Sequence, residues 1–296
     1  MEEKNKKLNK KLILMTFAVL GFVLVLVWIL NFTLYKSFDK NLEVYFFNVG
    51  QGDSELIFQG GHTILIDGGP NASVISELSK ALPVLNRKID VIILTHPHAD
   101  HVSGLVDVLQ RYEVGAVVGS GVVYSTPEYN AFLEEIKNQK IPFILARAGE
   151  KIKIGDLGQL TILHPLDLNF LGKGPTNTHD SMVVARFDFG EESFLFMGDA
   201  DGDLENELVS KGVDVRADVL KVGHHGSKNS SSLVFLKKVS PQISVIEVGK
   251  NNIYRHPADI ALRNLAVVGS KIFRTDLNGT IKFLSDGFSL VYMKEF

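Results

Sequence analysis

The stretch Thr95-His96-Pro97-His98-Ala99-Asp100-His101, THPHADH, follows the apolar run DVIIL at Asp90–Leu94, which reads as a buried strand. In an extended chain alternate residues share a side, so His96 and His98 face one way while Pro97 points away and helps to end the strand. Asp100 and His101 then open a helix, and an aspartate suits a helix start. Three imidazoles and one carboxylate between His96 and His101 are the donor types that bind Zn²⁺ and related divalent ions. Two pairs of them a few ångströms apart can serve two ions. The bland alternative, a His-rich surface turn, leaves their place at the end of an apolar strand unexplained.

Working outward, short β-rich runs LEVYFFNVG, SELIFQ and HTILIDGG precede this stretch and predict a meander of strands. From Asn71 onward helical and strand patterns alternate: a helix at ASVISELSKAL, the strand DVIILT, a helix through GLVDVLQRY, the strand VGAVV, a helix at TPEYNAFLEEIKNQK, and strands at KIKIGD and QLTILHP. The second half repeats the arrangement. Strands SMVVARFDFG and ESFLFMGD, helix GDLENELVSK, strand ADVLKVG, helix SSLVFLKKV, strand ISVIEVG and helix ADIALRNLAVVG lead to three terminal strands, KIFRTD, GTIKFLS and FSLVYM. Strands, then alternating elements, then strands again, given twice, predict two β-sheets packed face to face with helices outside, an α/β four-layer αββα sandwich. No linker divides it, so residues 43–296 read as one domain.

The N-terminus differs. Residues 1–11 hold five lysines, and Leu12–Tyr35 contains no charge. A 24-residue helix would span roughly 36 Å, enough to cross a hydrocarbon core, so residues 12–35 read as a transmembrane anchor with residues 36–42 as a short linker. The lysines ahead of it place residues 1–11 in the cytoplasm and the rest outside the cell membrane. The apolar run is too long for the core of a cleaved signal peptide, and no small-x-small site follows it.

The chain of 296 residues is 45% hydrophobic and 22% charged, which excludes a disordered or low-complexity protein. It has no cysteine, hence neither a disulfide framework nor a thiol nucleophile. Of its 31 basic and 34 acidic residues, five lysines and two glutamates lie in residues 1–35, leaving 26 and 32 and a net charge of −6 beyond. Such a surface is a poor general trap for a polyanion, so a phosphate-bearing substrate needs local cations or a metal.

THPHADH matches the HxHxDH signature of the metallo-β-lactamase fold, whose architecture is this sandwich. Further signature positions fall in order: Asp67 in LIDGG, His179 in NTHDS, Asp199 in FLFMGDA, and His224 or His225 in KVGHHGSKNSSS. FLFMGDA, DVLKVGHHGS and NNIYRHP together resemble the C-terminal hydrolase domain of ComEC-type competence proteins and their stand-alone relatives. The resemblance runs from about Glu43 to Met293.

It implies two divalent metal ions, Zn²⁺ or Mn²⁺, held by His96, His98, Asp100, His101, His179, Asp199 and His225. Asp199 would bridge them; its bland role is to cap the helix that follows. Asp67 would orient ligands from behind, or be an ordinary turn aspartate before two glycines. Neighbouring residues after a strand point opposite ways, so only one of His224 and His225 is expected to ligate; His225 is favoured, with His224 facing substrate or holding the loop. His179 departs from the Asn or Asp of ComEC-type relatives. If it ligates, the first ion gains a third histidine beside His96 and His98; if not, Asp180 can help. Ser227 opens a hydroxyl-rich loop whose N–H groups suit an anion, or which simply caps the next helix. Arg255 suits a phosphate oxygen and His256 a place in the substrate pocket, against a structural role for the latter. His62 and His164 have no such context and read as structural or exposed.

The chemistry that follows is hydrolysis by a metal-activated hydroxide, with Asp100 orienting the water and His256 serving catalysis. The expected substrate is a phosphodiester, with DNA first and a cell-wall polymer, in the manner of phosphorylcholine esterases, second. A non-catalytic metal-binding module is the reading outside enzymes, and a β-lactamase does not follow from fold alone.

Overall fold

The computed structural model of the chain describes residues 11, 14–27, 41–84, 86–172 and 181–293. It divides into two compact units, Met1–Asn41 and Leu42–Phe296. In the first, residues 14–27 form helix α1. Among the described residues no helix is long and apolar enough to cross a membrane. This corrects the expectation of a transmembrane anchor over residues 12–35, and with it the outward-facing, membrane-bound placement. The remainder of that stretch lies outside the described residues.

The second unit holds two sheets. One is built from β1 (Leu42–Phe46), β2 (Glu55–Gln59), β3 (His62–Ile66), β4 (Lys88–Leu94), β5 (Glu113–Gly119), β6 (Phe143–Leu145), β14 (Ile281–Ser285) and β15 (Leu290–Met293), in the order β15-β14-β1-β2-β3-β4-β5-β6. The other contains β7 (Lys151–Ile154), β8 (Gly158–His164), β9 (Val184–Phe189), β10 (Glu192–Phe196), β11 (Val219–Lys221), β12 (Ile243–Ile246) and β13 (Lys271–Arg274), in the order β13-β12-β11-β10-β9-β8-β7. Helices α2 (Ser73–Ala81), α3 (Ala99–Arg111) and α4 (Pro127–Gln139) serve the first sheet. Helices α5 (Gly202–Ser210), α6 (Leu233–Val239) and α7 (Asp259–Val267) serve the second.

Three apolar layers hold this together. Between the sheets, alternate strand residues such as Val44, Phe46, Ile64 and Ile66 meet Phe187, Phe194, Phe196 and Val219. Phe46 stacks on Phe196 across that interface, with ring centroids 6.0 Å apart. The opposite faces of the strands, Leu56, Leu65 and Ile92 among them, pack on α2–α4, and Leu195, Leu220 and Ile246 pack on α5–α7. Helix α3 shows the cause: Val102, Leu105, Val108 and Leu109 recur at helical spacing on one face, and all are buried. Helix α4 starts where Thr126 accepts the Tyr129 N–H and Pro127 takes the first turn. The expected αββα layering is therefore present in two sheets flanked by helices.

Strands β3 and β4 run parallel, as do β10, β11 and β12, and their C-terminal ends open at one edge. Parallel α/β sheets expose their loops for chemistry there. Two glycines let α3 press against that edge. A side chain on Gly104 would meet Gly68 O at 1.9 Å, and one on Gly52 would meet Asp100 O at 2.2 Å. The terminal strand expected through Asp276 stops at Arg274, and Thr275–Asn278 turns into the short helix α8. Thr275 draws the chain inward, because its hydroxyl accepts the Val248 N–H at 2.8 Å and donates to Val248 O at 3.1 Å.

Candidate metal centre

Each site segment leaves a strand end. After β4, the backbone stays extended to His98, which occupies the position just before α3, and Asp100 falls in the first helical turn. Asp67 follows β3, Asp199 follows β10, and His225 lies in a tight turn, Gly223–Gly226, after β11. Asp67, His224 and His225 all take left-handed backbone angles, at φ 54°, 48° and 52°. Non-glycine residues rarely adopt these, and the strain is held where side chains must be aimed.

The turn, rather than strand alternation, is what separates His224 from His225. His225 is 1% exposed and points inward, while His224 lies half-buried with its Nε2 3.8 Å from Asp199 Oδ2. Asp100, His101, Asp199 and His225 form one group of possible ligands, and His96, His98 and Asp199 a second. Asp199 belongs to both. Its Oδ1 lies 3.4 Å from His101 Nε2 and 3.4 Å from His225 Nε2, and its Oδ2 lies 3.8 Å from His96 Nε2. His225 Nε2 is also 3.4 Å from Asp100 Oδ2. Bonds of 2.0–2.1 Å to a tetrahedral Zn²⁺ put ligand atoms roughly 3.3 Å apart, so this spacing fits an ion among them.

The polar bookkeeping agrees. His101 Nε2, His225 Nε2 and Asp199 Oδ1 are buried and have no hydrogen-bond partner among the described residues. Buried polar atoms left without a partner are costly, and a shared cation satisfies all three. Their other ring atoms are fixed from behind. His101 Nδ1 lies 2.7 Å from Asp67 Oδ2, and His225 Nδ1 lies 2.9 Å from Glu247 O. Asp67 is itself held by the Thr95 N–H at 2.8 Å and the Thr95 hydroxyl at 2.5 Å. These contacts leave each Nε2 facing the group, the usual arrangement around ligating histidines.

Charge points the same way. Burial disfavours a proton on His101 and His225, but the surrounding carboxylates, Asp199 foremost, together outweigh it, holding His101 well above the imidazole range and pushing His225 up to about 10. Against their own burial, Asp199 is held well below the carboxylate range by His225 and His101, and Asp100 is lowered by His101. His96, buried and beside His101, is pushed down. The pocket thus calls for positive charge, which fits divalent cations.

Among the other expected residues, His179 and Asp180 lie outside the described residues. His256 is partly buried, with its ring 5.7 Å from that of His224 and 6.4 Å from that of His225. Arg255 is exposed on the same loop, at φ 58°. Ser227 is 5% exposed and its hydroxyl accepts the Asn229 N–H at 3.3 Å, so it braces the turn. The capping reading of that loop holds: Ser232 accepts the Phe235 N–H, and Glu205 takes the Ser231 and Ser232 N–H groups. Those donors are thereby spent. His164 is buried with Nδ1 2.6 Å from Met182 O, and His62 is exposed, both as expected.

Sequence reasoning missed four buried charges beside the site, Asp53, Glu55, Lys221 and Glu247. The signal was present in DVLKVG and ISVIEVG, where a lone charge interrupts an apolar strand run. A charge on a buried strand is costly unless paired, so such a residue announces a partner.

Residues 47–249 match the Metallo-beta-lactamase superfamily. The chain is 30% identical over 269 residues to ComE operon protein 3 of Bacillus subtilis, covering 84% of this chain and 34% of that protein. It is likewise 30% identical over 255 residues to competence protein ComA of Neisseria gonorrhoeae, covering 83% and 32%. The chain therefore spans about a third of the length of these curated relatives. Its fold is similar to that of the metallo-beta-lactamase fold protein YhfI from Bacillus subtilis, with a TM-score of 0.54 at 14% identity, over 83% of this chain and 99% of that one. With the matched region, the paired sheets and the ligand groups at their strand ends in agreement, the chain belongs to the metallo-beta-lactamase superfamily.

Proposed function

We propose that this protein is a metal-dependent phosphodiesterase acting on DNA. The observation that carries the reading is Asp199, which offers Oδ1 to one group of ligands and Oδ2 to the other. His96 and His98 would hold one divalent ion with it, and Asp100, His101 and His225 the second. Two bound ions would supply hydroxide at neutral pH, by lowering the pKa of water from 15.7 to about 7, and positive charge for the transition state.

The protein's own groups do the positioning. The Asp100 carboxylate is partly exposed while His101 and His225 behind it are buried, so it stands where water enters and can accept a hydrogen bond from the attacking water. His256 faces the same opening. Its burial, with His225 and His224 close by, holds its pKa down, so it meets substrate as a neutral imidazole whose N–H can donate to a phosphoryl oxygen. Arg255, exposed beside it, would add a charged donor to the same phosphate. The competence relatives favour DNA as the polymer, and the net charge of −6 beyond residue 35 leaves capture to these local groups.

The test uses the full chain, stripped with chelator and reloaded with Mn²⁺ or Zn²⁺, against single-stranded DNA, bis-p-nitrophenyl phosphate and nitrocefin. Cleavage of the first two is expected. Turnover of nitrocefin alone overturns the phosphodiesterase reading, and no turnover of any of the three replaces it with a binding module.

A further inference from the structure

The buried charges that this reaction does not use gather behind His225. Lys221, on β11, and Asp53, just before β2, are both 0% exposed and form an ion pair. Carboxyl oxygens of Asp53, Glu55 and Glu247 lie within 4.8 Å of one another. Three buried carboxyls at that spacing invite a cation. The chain supplies one, because the Lys221 ammonium is already bound to Asp53 in their midst.

Lys221 bonds two other segments and the residue that follows it. Its Nζ donates to Asp53 Oδ2, to Gly198 O at 3.3 Å and to Val222 O at 3.1 Å. Gly198 directly precedes Asp199, and Val222 opens the turn that carries His224 and His225. The Asp53 oxygens are thereby sorted. Oδ2, which Lys221 takes, lies 3.9 Å from His101 Nδ1, a ring atom already served by Asp67. Oδ1 is left as an ion-pair neighbour 3.1 Å from His225 Nδ1, the ring atom that bonds Glu247 O at 2.9 Å.

We propose that Lys221 and Asp53 are a positioning pair for the ion held by Asp100, His101, Asp199 and His225. The ammonium ties the loop that delivers Asp199 to the strand end that delivers His225, and it sets the Asp53 carboxylate beside the His225 Nδ1 that Glu247 O already bonds, adding negative charge behind the ring whose Nε2 faces the ligand group. Asp67 bonds His101 Nδ1 directly, so each of the two histidines has a buried aspartate behind it. This inference rests on the two-ion reading above.

The test compares the full-length wild type with Lys221→Met, Asp53→Asn and the double variant. Two quantities are read: the affinity for the first and second equivalents of Zn²⁺ by chelator competition, and thermal melting of the metal-free protein. A single substitution leaves a buried charge or dipole unpaired and lowers melting, whereas the double variant removes both charges and recovers it. A merely structural pair would recover metal binding along with melting. The expected result is that the double variant recovers melting, keeps one equivalent at wild-type affinity, and binds the other roughly 10- to 100-fold more weakly. Unchanged affinity for both equivalents, in the double variant or in a folded Asp53→Asn protein, overturns the inference. A wild type that binds fewer than two ions overturns the two-ion reading instead.

Discussion

Asp67 Oδ2 stands 2.7 Å from His101 Nδ1, and this contact turns the opposite ring nitrogen toward Asp199 Oδ1, 3.4 Å away. Asp67 is 0% exposed and sits at φ 54°, so both its burial and its backbone are committed to that one orientation. Asp67→Ala frees the His101 ring to rotate and removes its acceptor. Metal affinity measured by chelator competition should fall roughly 10- to 100-fold. Wild-type affinity in this variant would show that His101 is aimed by other means.

The ligand groups and the substrate-facing histidine separate by what each substitution removes. His98→Ala and Asp199→Ala should lose bound metal, read by elemental analysis, together with hydrolysis. His256→Ala should keep its metal and lose turnover by about 10²-fold or more, the scale of a lost acid–base or donor group. A fully active His256→Ala protein would remove that residue from the substrate pocket.

Metal binding should tighten as pH rises. Without an ion, the carboxylates around them, Asp199 foremost, hold protons on His101 and His225 against burial, the latter up to about 10, and those protons compete with the metal. Binding at pH 7 therefore releases protons. Titration calorimetry in buffers of different ionisation enthalpy should show an observed heat that varies with the buffer. A heat independent of buffer would mean that the rings are already deprotonated.

Away from the metal groups, Glu205 makes stability depend on pH. Its burial pushes the carboxyl up to about 7 from 4.5, although the Ser232 and Ser231 N–H groups oppose the shift. The folded form thus holds this proton more tightly than the unfolded form. The stability it brings is fully present below about pH 4.5 and is lost as pH rises through about 7. Glu205→Gln cannot ionise, so relative to wild type it should gain ~3 kcal/mol on going from pH 4.5 to pH 8. Urea unfolding at the two pH values measures this, and an equal difference at both would contradict the shift.

Much of the fold could be read from the sequence because period-2 and helical patterns survive wherever one face of an element is buried. Helix α3, with Val102, Leu105, Val108 and Leu109 on one side, is such a case. Strand β6 is not, since Phe143–Leu145 is too short to show alternation. THPHADH named four members of the metal groups, because its donors are neighbours along the chain. What local pattern could not give was the arrangement of segments far apart: the left-handed turn that buries His225, or the pairing of Asp53 with Lys221, 168 residues away. The uncharged stretch at residues 12–35 misled for the opposite reason. Composition alone suggested a span, whereas among the described residues no helix is long and apolar enough to cross a membrane.

The most direct test is the rate of bis-p-nitrophenyl phosphate hydrolysis by chelator-stripped full chain as Mn²⁺ is added back in counted equivalents. If Asp199 joins two ions in one hydrolytic site, activity climbs steeply with the second equivalent and levels off at two per chain. A plateau at one equivalent, or no hydrolysis at any loading, would contradict the account.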